Sequence, residues 1–556
     1  MSAGRGAGRA GRGAGRAGRG AGRGGRGPLG FAGQAARTLI QTGVVGPMRP
    51  SVLASVLGTA WRYGFGLPTL LGAAAARYPD RAALIDERET VSYAALRQRV
   101  AAVAAALYRD HGVRRRGKLG VLCRNHAGFA VATLAGATVG ADLVFLNTDF
   151  AGPQLAEVLG RETVATLVHD EEFTAAVDAA GFTGPRILAW TDSAVGRPSL
   201  ETLAAAGGAR PPASREPSRI VMLTSGTTGT PKGAPRDVEP LVLAVPAIGM
   251  VDVMRLRSGD PLLVLPPLFH GFGLAYWTLA LALGSPLLLC RRFDPDRTLA
   301  LVAEYRAAAL FGVPVMLRRL VALPAEVRNR YDTSSLKAVG AAGAPLPPDL
   351  ATQFLDTFGE ILFNLYGSTE TGWSTLATPA DLRAAPGTVG VAAQGVTVRV
   401  LDADGRPVPT AASGVIHVGS RLTFGGYSGG GGKRVVDGLM STGDLGHFDP
   451  AGRLFIDGRE DDMIVSGGEN VFPQEVEELL ARHAAVADVA VVGVPDQEFG
   501  QRLVAYVVLA GPVDADGLRE YVKANLARYK VPREVRFVDQ LPRNATGKVL
   551  KRFLKE

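Results

Sequence analysis

The feature that most constrains this chain is a short apolar strand that runs into a loop of glycine, serine and threonine. Ile220–Leu223 is apolar and predicts a buried strand. It continues as Thr-Ser-Gly-Thr-Thr-Gly-Thr-Pro-Lys-Gly over residues 224–233. Glycine lets the backbone approach an anion closely, while hydroxyl and backbone N–H groups donate to phosphate oxygens. The sequence therefore predicts a phosphate-binding loop. It is not a Walker A loop, because Pro231 stands before Lys232, where that motif requires glycine.

Helical and strand patterns alternate along the rest of the chain. Residues 299–310 read as a helix, and the short apolar runs at 262–265 and 415–418 read as strands. Residues 201–219 are rich in Gly, Pro and Ser and predict a surface connection. Residues 449–453 (Asp-Pro-Ala-Gly-Arg) predict the turn of a hairpin. Alternation of this kind predicts an α/β body.

The last hundred residues form a more compact pattern. We predict a helix at 473–483, strands near 487–493 and 503–509, and a helix at 515–527. This is typical of a small α+β domain, and a chain of 556 residues favours more than one domain. The predicted organisation is a disordered tail (1–27), a large N-terminal domain (28–459) and a small C-terminal domain (460–556).

The positive charge of the chain belongs to its N-terminus. The formal net charge is +9, yet eleven arginines and no acidic residue precede Asp80, which leaves 50 basic residues against 52 acidic ones. Residues 1–27 are glycine, alanine and seven arginines, with a single Met and Ser, so we expect this tail to be disordered. It is interpreted either as dispensable or as a segment that binds RNA or anionic lipid by charge alone.

Two apolar stretches raise the question of a membrane. Residues 261–290 contain no Asp, Glu, Lys or Arg, but their prolines and glycines favour a strand, a loop and a buried helix over one spanning helix. We expect residues 51–76 to pack against the body, with contact to a membrane surface as the alternative. The chain has two cysteines, Cys123 and Cys290, which exclude a disulfide framework and favour a cytoplasmic location.

Further motifs accompany the phosphate loop in chain order. They are PLFHGFG (267–273), GAAGAPL (340–346), NLYGSTETG (364–372), STGDLG (441–446), GREDDMIVSGGENVFPQEVE (458–477) and LPRNATGKVLKR (541–552). In order and spacing, the chain from about residue 55 to residue 556 resembles the adenylate-forming superfamily of acyl-CoA synthetases, aryl-CoA ligases, luciferases and peptide-synthetase adenylation domains. The resemblance implies a large adenylation domain and a small C-terminal domain that rotates on a hinge.

The resemblance also implies a nucleotide site. Tyr366 is expected to lie against adenine, Asp444 to accept from the ribose hydroxyls, and Arg459 to bind ribose and phosphate. The other expected nucleotide-binding residues are Thr224, Ser225, Gly226, Thr227, Thr228, Gly229, Lys232, Gly343, Ala344 and Gly367.

Four residues are expected to take part in the reaction. By resemblance, Glu370 binds Mg²⁺, Thr369 contacts the α-phosphate, and Lys548 bridges the acid carboxylate and the α-phosphate. His270 matches a position near the substrate carboxylate. By the same resemblance Asp461 falls at the hinge, and the 467–470 loop, with Gly468, lines the path of the CoA thiol.

The substrates follow from the same positions. By the same resemblance, members that activate amino acids bind the amino group with an aspartate in the region of 269–273, where this chain has none. Gly367, Gly340, Ala341 and Ala342 are expected to leave an apolar slot open. We expect an AMP-forming ligase that uses ATP, Mg²⁺ and CoA to activate a medium- or long-chain fatty acid. The alternatives are an aryl-acid–CoA ligase, an acyl-AMP ligase that loads a carrier protein, and an idle fold that binds RNA or membrane through its tail.

Overall fold

The protein is described by a computed structural model, which covers most of the chain. The described residues are 37–44, 46–193, 196–209, 211–224, 232–236, 240–368, 370–420, 433–460, 462, 464–466, 469–496, 500–526, 528–545 and 547–554. The predicted tail at 1–27 lies outside them.

The strands are numbered here in chain order. They are β1 Ala82–Ile85, β2 Thr90–Ser92, β3 Lys118–Leu122, β4 Asp142–Phe145, β5 Thr166–Asp170, β6 Arg186–Trp190, β7 Ile220–Thr224, β8 Lys232–Arg236, β9 Leu262–Val264, β10 Leu287–Leu289, β11 Ala309–Gly312, β12 Ala338–Ala341, β13 Leu362–Ser368, β14 Gly372–Ala377, β15 Val391–Ala392, β16 Thr397–Leu401, β17 Gly414–Gly419, β18 Val435–Val436, β19 Leu439–Phe448, β20 Leu454–Arg459, β21 Ile464–Ser466, β22 Glu469–Val471, β23 Val486–Asp496, β24 Gly500–Leu509 and β25 Glu534–Phe537.

The helices are numbered in the same way. They are α1 Pro50–Tyr63, α2 Leu67–Arg77, α3 Tyr93–Arg109, α4 Ala127–Val139, α5 Gly152–Arg161, α6 Thr174–Ala179, α7 Leu200–Ala206, α8 Pro240–Val253, α9 Gly271–Leu283, α10 Pro295–Tyr305, α11 Pro314–Val321, α12 Ala325–Arg328, α13 Pro348–Phe358, α14 Pro379–Ala384, α15 Pro473–Ala481 and α16 Ala515–Asn525.

Two large sheets carry the main core. Over the described residues, the first has nine strands in the order β15-β14-β13-β12-β11-β9-β10-β1-β2, and the second has six in the order β6-β5-β3-β4-β7-β8. The pairs around β9 to β13 and around β3 to β7 are parallel. One apolar core contains side chains from both sheets and from α4 and α9. Neither helix contains a charged residue, as expected for helices enclosed between layers.

The remaining strands form two smaller sheets. In the described chain the third sheet follows the order β16-β17-β19-β18, with β20 paired to β19, and the fourth follows β22-β21-β24-β23, with β25 paired to β24. Helices α15 and α16 bury apolar residues in the core of the fourth sheet. The architecture is thus the predicted α/β fold, a large N-terminal domain followed by a smaller α+β domain. The boundary at 459/460 stays a prediction.

Most of the predicted elements are confirmed, and two are wrong in part. The strands at 262–265 and 415–418, the 449–453 hairpin and the C-terminal helices and strands lie where they were expected. Within 299–310, the helix ends at Tyr305 and strand β11 begins at Ala309, because this apolar run fits either element. The predicted connection at 201–219 begins with α7, a helix that Ser199 and Thr202 start with a reciprocal capping box.

The two apolar stretches have different outcomes. Residues 261–290 form β9, a loop, α9 and β10, as predicted. In the described part of the chain, no helix is both long and apolar enough to cross a membrane. In the 51–76 stretch, α2 packs into the body as expected, but α1 contains no buried residue. Cys123 and Cys290 are free and buried.

Asn125 joins the two large sheets. It follows β3 of the second sheet and is buried. Its amide Nδ2 donates to the carbonyl oxygens of Leu265 (3.3 Å) and Pro266 (2.9 Å), just beyond β9 of the first sheet. Its Oδ1 accepts from the Leu268 N–H at 2.8 Å. The side chain therefore fixes the loop that leads to α9.

We expect Asn125→Ala to lower the free energy of unfolding by about 2–4 kcal/mol, because the Leu268 N–H and two carbonyl groups lose a buried partner. Urea denaturation measures the loss. Asn329→Ala, at an exposed position, is the matched control. A loss for Asn125→Ala no larger than that of the control would contradict the assignment.

Candidate active site

A cleft of about 2030 Å³ lies between the large domain and the C-terminal domain. Its walls include Tyr366 and Asp444 from the large domain and Lys548 from the small one. The other predicted residues that line it are His270, Gly343, Ala344, Gly367, Glu370 and Arg459. The fold thus brings together residues that are separated by up to 278 positions in sequence.

The polar part of the cleft is centred on the carboxylate of Asp444. Asp444 lies on β19, directly across from Arg459 on β20. The Tyr366 hydroxyl, near the end of β13, donates to Asp444 Oδ2 at 2.6 Å. The Arg459 Nη1 lies 3.5 Å from Asp444 Oδ1. Two sheets of the large domain therefore meet at this carboxylate.

The protonation of Asp444 is set by competing effects. Burial raises the pKa of Asp444, and the Tyr366 hydroxyl and the charges of Arg459, Lys548 and Lys433 lower it only in part. Burial also raises the pKa of Tyr366 well above its ordinary value, and the neighbouring Asp444 adds to the effect. Tyr366 therefore stays a neutral donor, and the surroundings of Asp444 disfavour its charged form.

Lys548 is held by a tight turn of the small domain. The Lys548 N–H donates to Asn544 Oδ1 and the Asn544 N–H to the Lys548 carbonyl, both at 2.9 Å. Gly547 closes the turn at φ 76°, a backbone conformation that glycine adopts without strain. The ammonium group lies near enough to Asp444 to lower the pKa of that carboxyl. It forms no ion pair with any residue the structure describes.

Gly367 has a structural reason to be glycine. A Cβ at this position would lie 2.0 Å from the carbonyl oxygen of Gly372, where β14 returns against β13. The close approach of β14 therefore excludes a side chain at position 367, whatever acid the cleft binds. Trp373 is the cross-strand partner of Gly367, and both line the cleft.

The predicted small-residue slot is wrong for two of its four members. Ala342 and Gly367 line the cleft, but Gly340 and Ala341 do not. Both lie on the buried strand β12, where a Cβ on Gly340 would meet Phe311 at 2.7 Å. Their small size serves the packing of the sheet.

One face of α9 extends the cleft into an apolar arm. Gly271, Ala275, Thr278, Leu279 and Ala282 line it at the spacing of one helical face. The eleven residue steps from the first to the last span about 16 Å along the helix. The spacing of small residues in this uncharged run was a sequence signal that our motif analysis did not use.

Aromatic rings lie at the inner end of this arm. Phe272 and Trp373 both line the cleft, and both contact Tyr276, with ring centroids 5.2 and 6.1 Å away. Trp373 was missed by the sequence analysis, because a tryptophan just after a motif carries no distinguishing local pattern.

His270 lies just before α9, beside the ring of Phe269. Its Nε2 is enclosed and has no hydrogen-bond partner among the described residues. Burial lowers the pKa of His270 to about 4, so the imidazole is neutral at physiological pH. It cannot supply a positive charge to an acid.

Glu370 also lines the cleft. Its backbone N–H donates a hydrogen bond to the Ser368 hydroxyl at 3.2 Å. Several predicted residues lie outside the described ones: Ser225, Gly226, Thr227, Thr228, Gly229, Thr369, Asp461 and Gly468. Of Thr224 and Lys232 the structure describes the backbone alone, at the facing ends of β7 and β8.

A buried cluster outside the cleft has the composition of a metal site. The potential ligand atoms of Cys123, His126 and Asp170 lie within 4.8 Å of one another. However, His126 Nδ1 accepts from the Gly128 N–H, and His126 Nε2 bonds to Asp170 Oδ1 at 2.8 Å. Both ring nitrogens are thus occupied, which makes the cluster a structural support for the start of α4.

Comparisons with known proteins agree with this geometry. Residues 71–428 match the family model of the AMP-binding enzymes, and residues 475–548 match that of the AMP-binding enzyme C-terminal domain. The indoleacetate–CoA ligase of Aromatoleum aromaticum is 34% identical over 86% of this chain and 94% of its own length. The feruloyl-CoA synthase of an Amycolatopsis species is 34% identical over 83% of this chain and 92% of its own.

Solved structures show the same fold. The o-succinylbenzoate CoA synthetase of Bacillus subtilis, in complex with an acyl-adenylate intermediate, superposes with a TM-score of 0.76 at 28% identity, over 88% of this chain and 98% of that one. The two-domain fold and the two family models together define an adenylate-forming enzyme. The chain belongs to the AMP-binding enzyme family, within which it is an AMP-forming acid–CoA ligase.

The cost of charging Asp444 is measurable. Because its folded-state pKa lies above the unfolded value, stability falls as the pH rises through that interval. We expect Asp444→Asn to raise Tm at pH 7, and the gain to vanish below about pH 3.9, where the carboxyl is protonated in both states.

Asp449→Asn is the matched control. Burial raises the pKa of Asp449, but hydrogen bonds from Arg453 outweigh it and lower the pKa. The control should therefore lose stability at pH 7. A lower Tm for Asp444→Asn as well would contradict the electrostatic assignment.

Proposed function

We propose that this enzyme activates an aromatic carboxylic acid with ATP, forming an aryl-acyl-AMP, and transfers the acyl group to CoA. The observation that carries the proposal is that Lys548 of the small domain lines one cleft with Asp444 and Tyr366 of the large domain, with an apolar arm opening beside them. A cation, a nucleotide-sized polar pocket and an apolar arm are the three elements that adenylation of an apolar acid requires.

The polar pocket is proposed to bind the nucleotide. Tyr366 lies against adenine, Asp444 accepts from the ribose hydroxyls, and Arg459 pairs with ribose and phosphate oxygens. Gly343, at φ 85°, and Ala344 form the opposite wall through their backbone. The loop over Thr224, Ser225, Gly226, Thr227, Thr228 and Gly229, with Lys232, binds the outer phosphates, and Thr369 binds the α-phosphate.

Glu370 fits a magnesium ligand. Mg²⁺ in nucleotide enzymes is held by one or two carboxylates together with phosphate oxygens, and Glu370 brings one carboxylate to the cleft wall. The ion would neutralise phosphate charge there when bound.

In the first half-reaction, an oxygen of the acid carboxylate attacks the α-phosphorus of ATP, and pyrophosphate leaves. Lys548 contacts both the acid carboxylate and the α-phosphate of ATP, so its positive charge stabilises the negative charge that develops between them. Neutral His270 lies on the wall beside the carboxylate and orients it without adding charge.

In the second half-reaction, the thiol of CoA attacks the acyl carbon, and AMP leaves. The small domain is proposed to rotate at Asp461, which removes Lys548 and brings the loop with Gly468 to the path of the thiol. Adding CoA and testing for the thioester separates this acceptor from a carrier protein. Failure of every acid to release pyrophosphate would overturn the proposed activity itself.

An aromatic acid is favoured over the fatty acid that the motifs alone suggested. Phe272 and Trp373 offer ring faces and edges at the inner end of the arm, which suits an aryl group. The indoleacetate–CoA ligase and feruloyl-CoA synthase named above are ligases of aromatic acids.

A medium-chain fatty acid is the second candidate, and the length of the arm favours it. An arm of about 16 Å along α9 is longer than a single aromatic ring needs. The two candidates differ in how far they reach past Thr278.

The charge of Lys548 is testable by half-reaction. We expect Lys548→Ala to lower acid-dependent pyrophosphate release by about 10²–10³-fold, because a transition-state contact is lost. Transfer from preformed acyl-AMP to CoA should be unchanged. Lys523→Ala, on an exposed surface pair with Glu520, is the control. Equal losses in both half-reactions would refute the assignment.

Blocking the arm separates the two acids. Thr278 lies seven residues, about 10 Å, along α9 from Gly271. We expect Thr278→Phe to lower kcat/KM for decanoic acid by about tenfold or more and to leave indoleacetic acid nearly unchanged, since a filled pocket excludes only what reaches it. Thr278→Val should leave both acids unaffected. Equal loss with both acids would show that the aryl acid also occupies the outer arm.

A further inference from the structure

Helix α1 lies on the body without being buried in it. It approaches α2 closely, since a Cβ on Gly72 would lie 2.5 Å from Thr59 Cγ2, yet none of its residues is buried. Its outer face carries large apolar side chains at four-residue intervals, with Leu53, Leu57 and Trp61 exposed by 44%, 59% and 72%. Phe65, just beyond the helix, is 68% exposed. We call these four residues the α1 face.

The charge around the α1 face is positive. The Arg215 guanidinium stacks 3.8 Å from the centre of the Trp61 ring. Arg49 precedes the helix and Arg62 lies within its last turn. No Asp or Glu occurs before Asp80, whereas the chain that leads to α1 is rich in arginine.

The nearest carboxylate on the neighbouring loop is already neutralised. Glu216, which follows Arg215, forms ion pairs with Arg115 and with Arg116, the latter at 3.1 Å. The surface around Trp61 therefore presents cations and apolar groups together. Such a surface suits a partner that is both anionic and apolar.

The α1 face also adjoins the end of the apolar arm. Residues at the end of α1 and the start of α2 line the cleft, namely Tyr63, Gly66 and Leu67. Ala282, at the far end of the α9 face, is exposed and lines the same cleft. An apolar acid dissolved in whatever covers the α1 face would thus lie beside the arm.

We propose that the α1 face rests on the surface of an anionic lipid bilayer, with Leu53, Leu57, Trp61 and Phe65 among the upper acyl chains. A helix with an apolar face flanked by arginine lies in the plane of such an interface. Tryptophan prefers this depth, because its ring is apolar and its N–H remains near water. The arginines contact the lipid phosphates.

A bilayer is the occupant that the charges favour over a second copy of the chain. Two α1 faces brought together would place Arg49, Arg62 and Arg215 of each copy close to those of the other, and the neighbouring Glu216 is already paired with Arg115 and Arg116. Like charges at that distance repel, whereas anionic lipid attracts all of them.

Trp61 supplies a direct probe, because it is the exposed tryptophan of the four in the sequence. Trp190 and Trp277 are buried, and Trp373 lies in the cleft. We expect vesicles of phosphatidylcholine and phosphatidylglycerol with brominated acyl chains to quench the tryptophan fluorescence of the full-length protein. Trp61→Phe should abolish this quenching. Its absence in the wild type would overturn the proposal.

Co-sedimentation with the same vesicles measures the contribution of the face. We expect Leu57→Ser with Trp61→Ser to lower partitioning by about tenfold or more, since two large side chains no longer enter the acyl layer. Val435→Ser, at an exposed apolar position away from α1, is the control and should partition like the wild type. Vesicles of phosphatidylcholine alone should bind less, because the arginines lose their partners.

Other results would assign the surface differently. Unchanged partitioning of the double variant would overturn the proposal and assign binding to the arginine-rich tail. If the wild type sediments as a dimer and the double variant as a monomer, the α1 face instead binds a second copy of the chain, and the proposal is overturned. Both readouts are independent of acyl transfer, so they stand or fall separately from the proposed reaction.

Discussion

The cleft depends on the fixed relation between the two large sheets, and Asn125 is the side chain that spans them. The amide offers donors and an acceptor at once, so a single residue bonds three backbone groups of the loop after β9. That loop leads into His270 and α9, whose outer face forms the apolar arm. Asp86 adds a second link, since its carboxylate accepts from the Ala127 N–H at the start of α4. The position of the apolar arm therefore depends on the hydrogen bonds that Asn125 and Asp86 make between the two sheets.

The polar part of the cleft is built on a different principle. Burial disfavours the charged form of Asp444, and the Tyr366 hydroxyl and the charges of Arg459 and Lys548 offset this effect only in part. Two of these groups belong to the large domain, and Lys548 belongs to the small one. A carboxylate whose surroundings disfavour its charge gains from any ligand that donates hydrogen bonds to it. The same electrostatic arrangement thus favours the binding of a hydrogen-bond donor at Asp444.

The sequence predicted those parts of the fold that local patterns encode. The hairpin at 449–453 and the helices and strands after residue 472 lie where turn residues and apolar spacing put them. It failed where one pattern fits two structures, as at 299–310, where helix α10 passes into strand β11. The sequence analysis also wrongly placed Gly340 and Ala341 in the pocket, since a small residue in a sequence does not reveal which neighbour requires its small size. For Gly340 that neighbour is Phe311, which a Cβ would contact too closely.

The sequence by itself determined the family, the order of the motifs and the motif residues that line the cleft, because those signals are local and stand in a fixed order. Only the tertiary structure decided that Phe272 and Trp373 share the cleft with Lys548, that the arm runs about 16 Å along α9, and that α1 leaves Trp61 exposed while α2 buries one of its faces. These facts depend on contacts between distant segments. An apolar helix reads the same in sequence whether its partner is a sheet, a substrate or a lipid, and packing alone selects among them.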